Sequence, residues 1–269
     1  QNTLWLQQSW PVNADQLRAQ LDAIDVDIEL AAIKVGMLGD EYLVRELVDW
    51  LQQRRAAGRD CPVVIDPVLV SSSGCLLLSD AGQQVLIEQL LPLAVLVTPN
   101  LPELAALLNR PVAQTNDQLH DQAEALLRLG PRAVLVKGGH APDEQDEASR
   151  GLSVDWLLSQ RLDPATGKTV EAFERFASER IISSNDHGTG CTLASAIAAC
   201  LAYQVPLGDA VADAKKFLSG ALFHADQLTI GGLNADGDEA QARPDLERHG
   251  PLHHFYRQWP NDTEVTEEL

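Results

Sequence analysis

The sequence has little positive charge: 20 Lys and Arg stand against 39 Asp and Glu, which gives a formal net charge of −19 at pH 7. Nucleic-acid-binding surfaces need cations that neutralise phosphates, and anionic lipids attract basic segments. The charge therefore argues against nucleic acid and against membrane surfaces as partners. A small phosphorylated substrate stays compatible with it, because a few backbone amides, a metal ion and one lysine can hold a phosphate.

Cysteines are few and long apolar runs are absent. The four cysteines, Cys61, Cys75, Cys191 and Cys200, form neither a CxxC pair nor a zinc-type spacing, which is typical of a protein of the reducing cytosol. No uncharged apolar stretch reaches about 18 residues, and no charged-then-apolar leader is seen. We therefore expect a cytoplasmic protein without membrane insertion. The chain begins with Gln1 rather than methionine, so we also expect a fragment or a trimmed chain.

Length and hydrophobic content predict a large core. With 269 residues, 45% of them hydrophobic, the chain suffices for one large α/β domain, which we prefer to two small ones. Short apolar runs alternate with longer amphipathic stretches, as in a parallel sheet covered by helices on both faces. The predicted strands are residues 31–35, 62–66, 94–98 and 133–137, and the predicted helices are residues 14–24, 40–54, 80–90 and 116–129. Asn13 and Asp40 are expected to be N-caps.

Each predicted strand leads into residues suited to chemistry, namely Met37, Asp66, Asn100 and Lys137. Ligands bind beyond the carboxyl ends of the strands in an open parallel sheet, so we expect these residues to converge on one edge. Lys137 is a point charge suited to transferring phosphates. Asp66, which precedes a proline, has a plainer interpretation as a turn residue.

Asn100 and Glu103 admit two interpretations of equal weight. An Asn followed three positions later by an acidic residue resembles a capping box. The same amide and carboxylate share a helical face and could organise Mg²⁺ through water, since magnesium retains several of its waters. His140 and His187 are weaker candidates, because a loop histidine more often makes a hydrogen bond and no third ligand marks a metal site.

The run from Asn185 to Thr192, followed by a helix-forming stretch, predicts an anion-binding site. Gly188 and Gly190 let the backbone turn its N–H groups inward, while the helix adds the partial positive charge of its N-terminus. Cys191 would lie in the first helical turn, where this environment favours the thiolate, and the position suits a base for a substrate hydroxyl. The alternative is a tight strand-to-helix turn in which Cys191 is only a small apolar residue.

Five motifs occur in order along the chain: KVGML at 34–38, VIDPV at 64–68 with Ser73-Gly74 downstream, TPNLPE at 98–103, VKGGH at 136–140 and HGTGC at 187–191. Together they resemble the hydroxymethylpyrimidine/phosphomethylpyrimidine kinases of thiamine biosynthesis, members of the ribokinase-like superfamily. The resemblance runs from Gln1 to about Phe255, where a Gly-Pro-Leu-His-His-Phe segment is also similar to the family. It implies a single ribokinase-like α/β domain over residues 1–257 and an acidic tail over residues 258–269.

The resemblance implies an enzyme that uses ATP and Mg²⁺ to phosphorylate 4-amino-5-hydroxymethyl-2-methylpyrimidine, and then phosphorylates the monophosphate to the diphosphate. Cys191 occupies the place where most ribokinase-like enzymes carry the catalytic aspartate. Gly188, Thr189 and Gly190 would supply, with Cys191, the amides that stabilise the transferring phosphoryl group.

Further roles follow from the same resemblance. The residues implied near the nucleotide phosphates and magnesium are Asp66, Lys137, Asn100 and Glu103, the last two being the magnesium motif. Gln1 matches a glutamine that hydrogen-bonds the aminopyrimidine. Met37 matches a residue that lines the same pocket.

The sequence departs from the family pattern at two places. The family begins with a strand, a Gly-rich segment, a helix and another strand, none of which precedes Gln1; we therefore expect a truncated gene product or partial sequence that lacks half of the pyrimidine pocket. Asp186 stands where the family usually has Thr, and Ser184 where it often has Lys. Residues 185–192, the predicted anion-binding site, are called the anion loop below. A carboxylate in this loop is expected to repel phosphate unless it faces away or contacts a metal.

Three further segments are expected to be solvated surface, namely Asp143 to Ser149, Asp163 to Glu174 and Gly231 to His249. Residues 154–158 resemble a hairpin strand that could fold over the nucleotide.

Two alternative functions stay open. Some pyridoxal kinases share the Gly-Thr-Gly-Cys loop, although Gln1 favours an aminopyrimidine because an amide can both donate to it and accept from it. The other alternative is a catalytically inactive remnant that binds nucleotide or a partner protein. The expected partner is a small pyrimidine substrate, with a homodimer left open.

Overall fold

The computed structural model describes residues 3, 8–69, 77–138, 151–162, 169–228, 230 and 249–259. Within them, six strands form one sheet in the order β1-β2-β3-β4-β5-β6. The strands are β1 (Ile33–Val35), β2 (Val63–Ile65), β3 (Leu96–Val97), β4 (Ala133–Gly138), β5 (Leu152–Leu162) and β6 (Thr169–Glu179). Strands β1 to β4 run parallel, whereas β5 and β6 pair antiparallel to their neighbours.

Seven α-helices accompany the sheet in the described residues. They are α1 (Ala14–Asp25), α2 (Glu41–Ala56), α3 (Asp80–Val85), α4 (Leu101–Leu108), α5 (Asn116–Leu127), α6 (Thr189–Ala202) and α7 (Leu207–Phe223). Helix α3 continues as a π-helix (Leu86–Leu90) and a 3₁₀ helix (Leu91–Leu93), and a second 3₁₀ helix (Ala225–Gln227) follows α7. Among the described helices, none combines the length and the apolar character needed to cross a bilayer.

The sheet is covered on both faces, as the sequence predicts. Successive residues of a strand point to opposite faces. Val63 and Ile65 of β2 accordingly join the apolar core formed with α2 to α5, while Val64 between them joins the core formed with α6 and α7. This arrangement explains why β2 is apolar throughout, and it confirms the α/β class with a mostly parallel sheet.

The two predicted N-caps are also correct. The Asn13 side chain accepts a hydrogen bond from the Gln16 amide at 2.8 Å, and the Gln16 side chain accepts in return from the Asn13 amide at 3.0 Å. The Asp40 side chain accepts from the Leu43 amide at 2.9 Å, so α2 begins at the next residue.

The expectation of solvated surface for Asp163 to Glu174 is wrong over residues 169–174. These residues belong to β6, which pairs with β5 along its whole length. Ala172 is buried, and Phe173 stacks on Trp156 of β5 with 4.7 Å between ring centroids. Glu171 and Glu174 flank these two apolar residues, and the β5–β6 hairpin extends the sheet beyond β4. The segments 143–149, 163–168, 231–248 and 260–269 lie outside the described residues.

Candidate functional site

The carboxyl ends of β2, β3 and β4 bring together residues that are far apart in the sequence. Thr98 follows β3, and its amide donates to the Ile65 carbonyl at 2.9 Å. The Lys137 amide, near the end of β4, donates to the Pro99 carbonyl at 2.8 Å. Because parallel pairing aligns these strand ends, Asp66 after β2 lies beside the other two, as the sequence predicts.

Lys137 is the centre of a buried charge cluster. Its Nζ lies 2.6 Å from Asp66 Oδ1 and 3.8 Å from Glu103 Oε2. The Thr98 hydroxyl donates to the same Asp66 oxygen at 3.3 Å. Burial lowers the pKa of the Lys137 ammonium, but the Asp66 and Glu103 carboxylates raise it more strongly, so its pKa lies above the ordinary value. The lysine is therefore held charged in a site where only 2% of Asp66 is exposed.

Asn100 and Glu103 form the capping box that begins α4. Asn100 Oδ1 accepts from the Glu103 amide and Glu103 Oε2 accepts from the Asn100 amide, each at 2.7 Å. This local geometry aims the Glu103 carboxylate at Lys137. Burial raises the pKa of Glu103 above its ordinary value, although Lys137 and the Asn100 amide act to lower it. The capping interpretation is thus correct, and the magnesium role of the same two residues stays a prediction.

Glu103→Gln is expected to weaken the dependence of stability on pH. Because the pKa of Glu103 is raised on folding, the folded chain holds this proton more tightly than the unfolded chain does, and stability falls as pH rises from the unfolded pKa through the folded one. Glutamine keeps the capping acceptor and does not ionise. Urea titrations at about pH 5 and about pH 8 should show a loss of unfolding free energy that is smaller in the variant, by on the order of 1 kcal/mol. Exposed Glu88→Gln is the control, and equal losses in Glu103→Gln and wild type would contradict the expectation.

The loop before α6 forms the predicted helix N-terminus. Gly188 caps the helix with φ of 87°, a left-handed conformation that favours glycine. The Thr192 amide makes the first helical bond, to the Gly188 carbonyl at 2.8 Å, and the Thr189 amide contacts the Asp186 carbonyl at 3.4 Å. Within the part of the chain that is described, the amides of Gly190 and Cys191 have no backbone acceptor. They are available to an anion at the positive end of the helix.

This helix N-terminus faces the charge cluster. A Cβ added to Gly190 would lie 3.0 Å from Lys137 Nζ and 3.6 Å from Asp66 Oδ2. A side chain at position 190 would therefore press on the lysine ammonium, which would have to shift by a few tenths of an ångström. The Cys191 side chain is exposed, and its negative form contributes to raising the pKa of Lys137. The structure thus brings six of the predicted residues together: Asp66, Asn100, Glu103, Lys137, Gly190 and Cys191.

Asp186 contacts a histidine outside this cluster. Its Oδ1 lies 2.7 Å from His249 Nδ1, a residue near the end of the chain. The carboxylate that was expected to repel phosphate therefore has a partner. Met37 follows β1, which ends beside Asp66, and it is 49% exposed. Gln1 and His140 lie outside the described residues.

Sequence reasoning missed a second buried ion pair. Asp155 of β5 accepts from the Gly138 amide at 3.0 Å and from Lys215 Nζ of α7 at 2.6 Å. Gly138 directly follows Lys137, so this pair fixes the strand end that carries the site lysine. The signal that could have found it is a single Asp within the apolar stretch of β5, since a buried carboxylate needs a partner.

A cavity of about 470 Å³ opens between β6 and α7, on the face of the sheet that also carries α6. Its lining includes Phe176 and Ala212, together with the polar side chains of Arg175, Lys216 and Ser219. Lys215 lines the same cavity while it pairs with Asp155. The cavity is large enough for a small organic ligand.

Comparison with known proteins gives consistent matches. The family described as phosphomethylpyrimidine kinase matches residues 1–235. The hydroxymethylpyrimidine/phosphomethylpyrimidine kinase of Escherichia coli is 38% identical over 260 residues, which cover 96% of this chain and 84% of that protein. The kinase of the same name from Rhizobium meliloti is 40% identical over 259 residues, with the same coverage of 96% and 84%.

Two solved structures share the fold. Bacillus subtilis pyridoxal kinase, solved as an ADP complex, has a TM-score of 0.71 and 27% identity, covering 94% of this chain and 80% of that one. Clostridium difficile phosphomethylpyrimidine kinase has a TM-score of 0.62 and 30% identity, covering 78% of this chain and 77% of that one.

Proposed function

The chain belongs to the phosphomethylpyrimidine kinase family, and we propose that it transfers the terminal phosphoryl group of ATP to 4-amino-5-hydroxymethyl-2-methylpyrimidine and then to the resulting monophosphate. It is a phosphotransferase of thiamine biosynthesis. The observation that carries the detailed proposal is the closeness of the N-terminus of α6 to the site lysine, since a Cβ on Gly190 would lie 3.0 Å from Lys137 Nζ. A transferring phosphoryl group carries its charge on three oxygens, which oriented amides and one lysine stabilise.

In this proposal Cys191 is the general base. Its thiolate accepts the proton of the acceptor hydroxyl, and the acceptor oxygen forms a bond to the γ-phosphorus. The bond from that phosphorus to the oxygen of the β-phosphate breaks, and ADP leaves with the electron pair. Gly188, Thr189, Gly190 and Cys191 form the loop and first helical turn whose amides surround the charge that develops in this step.

The buried charge cluster is proposed to hold the phosphates. Lys137 faces them as a cation, while Asp66 and Glu103 keep it protonated. Two carboxylates against one ammonium leave an excess negative charge in a buried site, which fits a hard cation such as Mg²⁺ bound through water by Asn100 and Glu103. Bound Mg²⁺ would neutralise charge on the nucleotide phosphates.

We also propose that the cavity between β6 and α7 takes the base of the nucleotide, because it opens on the face that carries α6. Ser219→Trp, which fills this cavity, is then expected to raise the KM for ATP at least about tenfold, the factor that ~1.4 kcal/mol of binding supplies, with a smaller effect on kcat. Asp213→Trp, on the same helix but outside the lining, is the matched control. Equal KM values for the two variants would disprove this placement.

The assay that tests the proposed function measures ADP release from ATP and Mg²⁺ with three acceptors in separate reactions: hydroxymethylpyrimidine, its monophosphate and pyridoxal. Release with the first two is the expected result. If a folded chain releases no ADP with any of the three acceptors, the result would favour a remnant that binds nucleotide without transferring phosphate. Activity gained on adding a family-type N-terminal segment would exclude that remnant.

Pyridoxal kinase is the second candidate. The TM-score to the Bacillus subtilis pyridoxal kinase supports it, whereas the identity of 38% to the Escherichia coli pyrimidine kinase favours the first candidate. ADP release with pyridoxal alone would move the assignment to the second.

A further inference from the structure

Residues 249–254, which we call the C-terminal strap, pair with the anion loop. The Gly250 amide donates to the Ser184 carbonyl at 2.8 Å, and the His187 amide donates to the Gly250 carbonyl at 3.0 Å. His187 and Pro251 form an isolated parallel bridge. Two backbone hydrogen bonds thereby join the loop that precedes α6 to a segment more than 60 residues further along the chain.

Gly250 allows the strap to approach the anion loop closely, because it has no side chain. A Cβ added at this position would overlap the side-chain oxygen of Asn185. Asn185 is itself buried and donates to the Ala225 carbonyl at 2.8 Å. The strap also reaches the first turn of α6, where His254 Nε2 lies 2.9 Å from the Thr192 hydroxyl. Both ends of the anion loop are therefore fixed by the strap.

His249 contacts both the anion loop and the start of the chain. Its ring Nδ1 lies 2.7 Å from Asp186 Oδ1, and its amide donates to the Thr3 carbonyl at 2.8 Å. The first contact is to the residue two positions before Gly188, the cap of α6. The second is to the start of the chain, two residues after Gln1. His249 thus joins the anion loop to the segment in which the acceptor contact is predicted.

The ring contact has a direct electrostatic consequence. A carboxylate close to a helix N-terminus is attracted to the same amides that bind a phosphate. An unpaired Asp186 would therefore compete with the substrate for the Gly190 and Cys191 amides, or repel the phosphate from them. The contact with the His249 ring engages one oxygen of this carboxylate and so restrains it from turning toward those amides.

We propose that His249 is a positioning residue for phosphoryl transfer, which keeps the Asp186 carboxylate away from the Gly190 and Cys191 amides and so leaves these amides free for the nucleotide phosphates. This inference rests on the proposed function, because it assumes that the loop binds the phosphates of a nucleotide. It makes a prediction about nucleotide binding that does not require turnover.

The test measures the Kd of ADP and of a non-hydrolysable ATP analogue by calorimetry, together with the KM for ATP where turnover is detected. His249→Ala is expected to raise the Kd by roughly tenfold. Asp186→Asn in the same background is expected to restore it, since the competing charge is gone. A variant that only loosened the fold would not be rescued in this way, and thermal unfolding of each variant measures that loosening directly.

His249→Gln is the second variant in case His249→Ala fails to fold, because an amide can still donate to Asp186; an intermediate Kd is expected. An unchanged Kd in the His249 variants, or no rescue by Asp186→Asn, would overturn the inference. If the wild-type chain binds nucleotide but phosphorylates none of the three acceptors, the proposed function fails while these titrations still decide the role of His249.

Discussion

Cys191→Ser is expected to lower kcat by about 10²–10⁴-fold, the range that a general base contributes, and to leave the affinity for ATP nearly unchanged. A serine hydroxyl is a far poorer base at neutral pH than a thiolate at a helix N-terminus. The substitution keeps the backbone amides at the N-terminus of α6, so the phosphate contacts should survive. The split between kcat and ATP affinity, measured by initial rates and by calorimetry, is therefore the diagnostic result.

The chain offers matched controls for this prediction. Cys200 lies in the same helix α6 and Cys61 lies elsewhere, and neither is part of the site. Cys200→Ser and Cys61→Ser should keep the wild-type kcat. Cys191→Asp should retain more activity than Cys191→Ser, since a carboxylate can accept a proton. A Cys191→Ser variant with the wild-type rate would eliminate this residue as the base.

Local signals were sufficient to predict the framework of the fold and of the site. The parallel strands are short apolar runs because both faces of the sheet are covered, and Val64 and Ile65 show this directly, since each packs in a different core. The anion loop was predictable because two glycines before a helix-forming run have a specific backbone meaning. The convergence of Asp66 and Lys137 followed from a topological rule on parallel strand ends.

The capping role of Asn100 and Glu103 does not exclude the magnesium role, which stays a prediction. The sequence left these as alternatives, but the capping bonds use one side-chain oxygen of each residue and also aim the Glu103 carboxylate at Lys137. A residue pattern that begins a helix can thus also position a charge. The two interpretations therefore do not exclude each other.

The contacts that could not be predicted join residues distant in sequence. Asp155 pairs with Lys215, and Asp186 pairs with His249, each about 60 residues further along the chain. No local pattern specifies the partner of such a carboxylate. The sequence therefore indicated that the Asp186 carboxylate could repel phosphate, but only the fold showed that His249 contacts this carboxylate.

Lys137→Met is expected to destabilise the chain and to abolish most of its activity. The methionine has a similar length but no charge, so Asp66 would be left buried without its ion-pair partner, which typically costs about 3–5 kcal/mol. The loss of the cation that faces the anion loop should also lower kcat by about 10²–10³-fold. Urea unfolding and initial rates measure the two effects separately.

The double variant Lys137→Met with Asp66→Asn separates the two effects, because it removes the charge that the single variant leaves unpaired. Much of the lost stability should return, since an amide is far less costly to bury than a carboxylate and can still accept from the Thr98 hydroxyl. Activity should not return, because the ammonium that faces Gly190 is still missing. Recovery of turnover along with stability would mean that Lys137 only balances Asp66 and has no part in phosphoryl transfer.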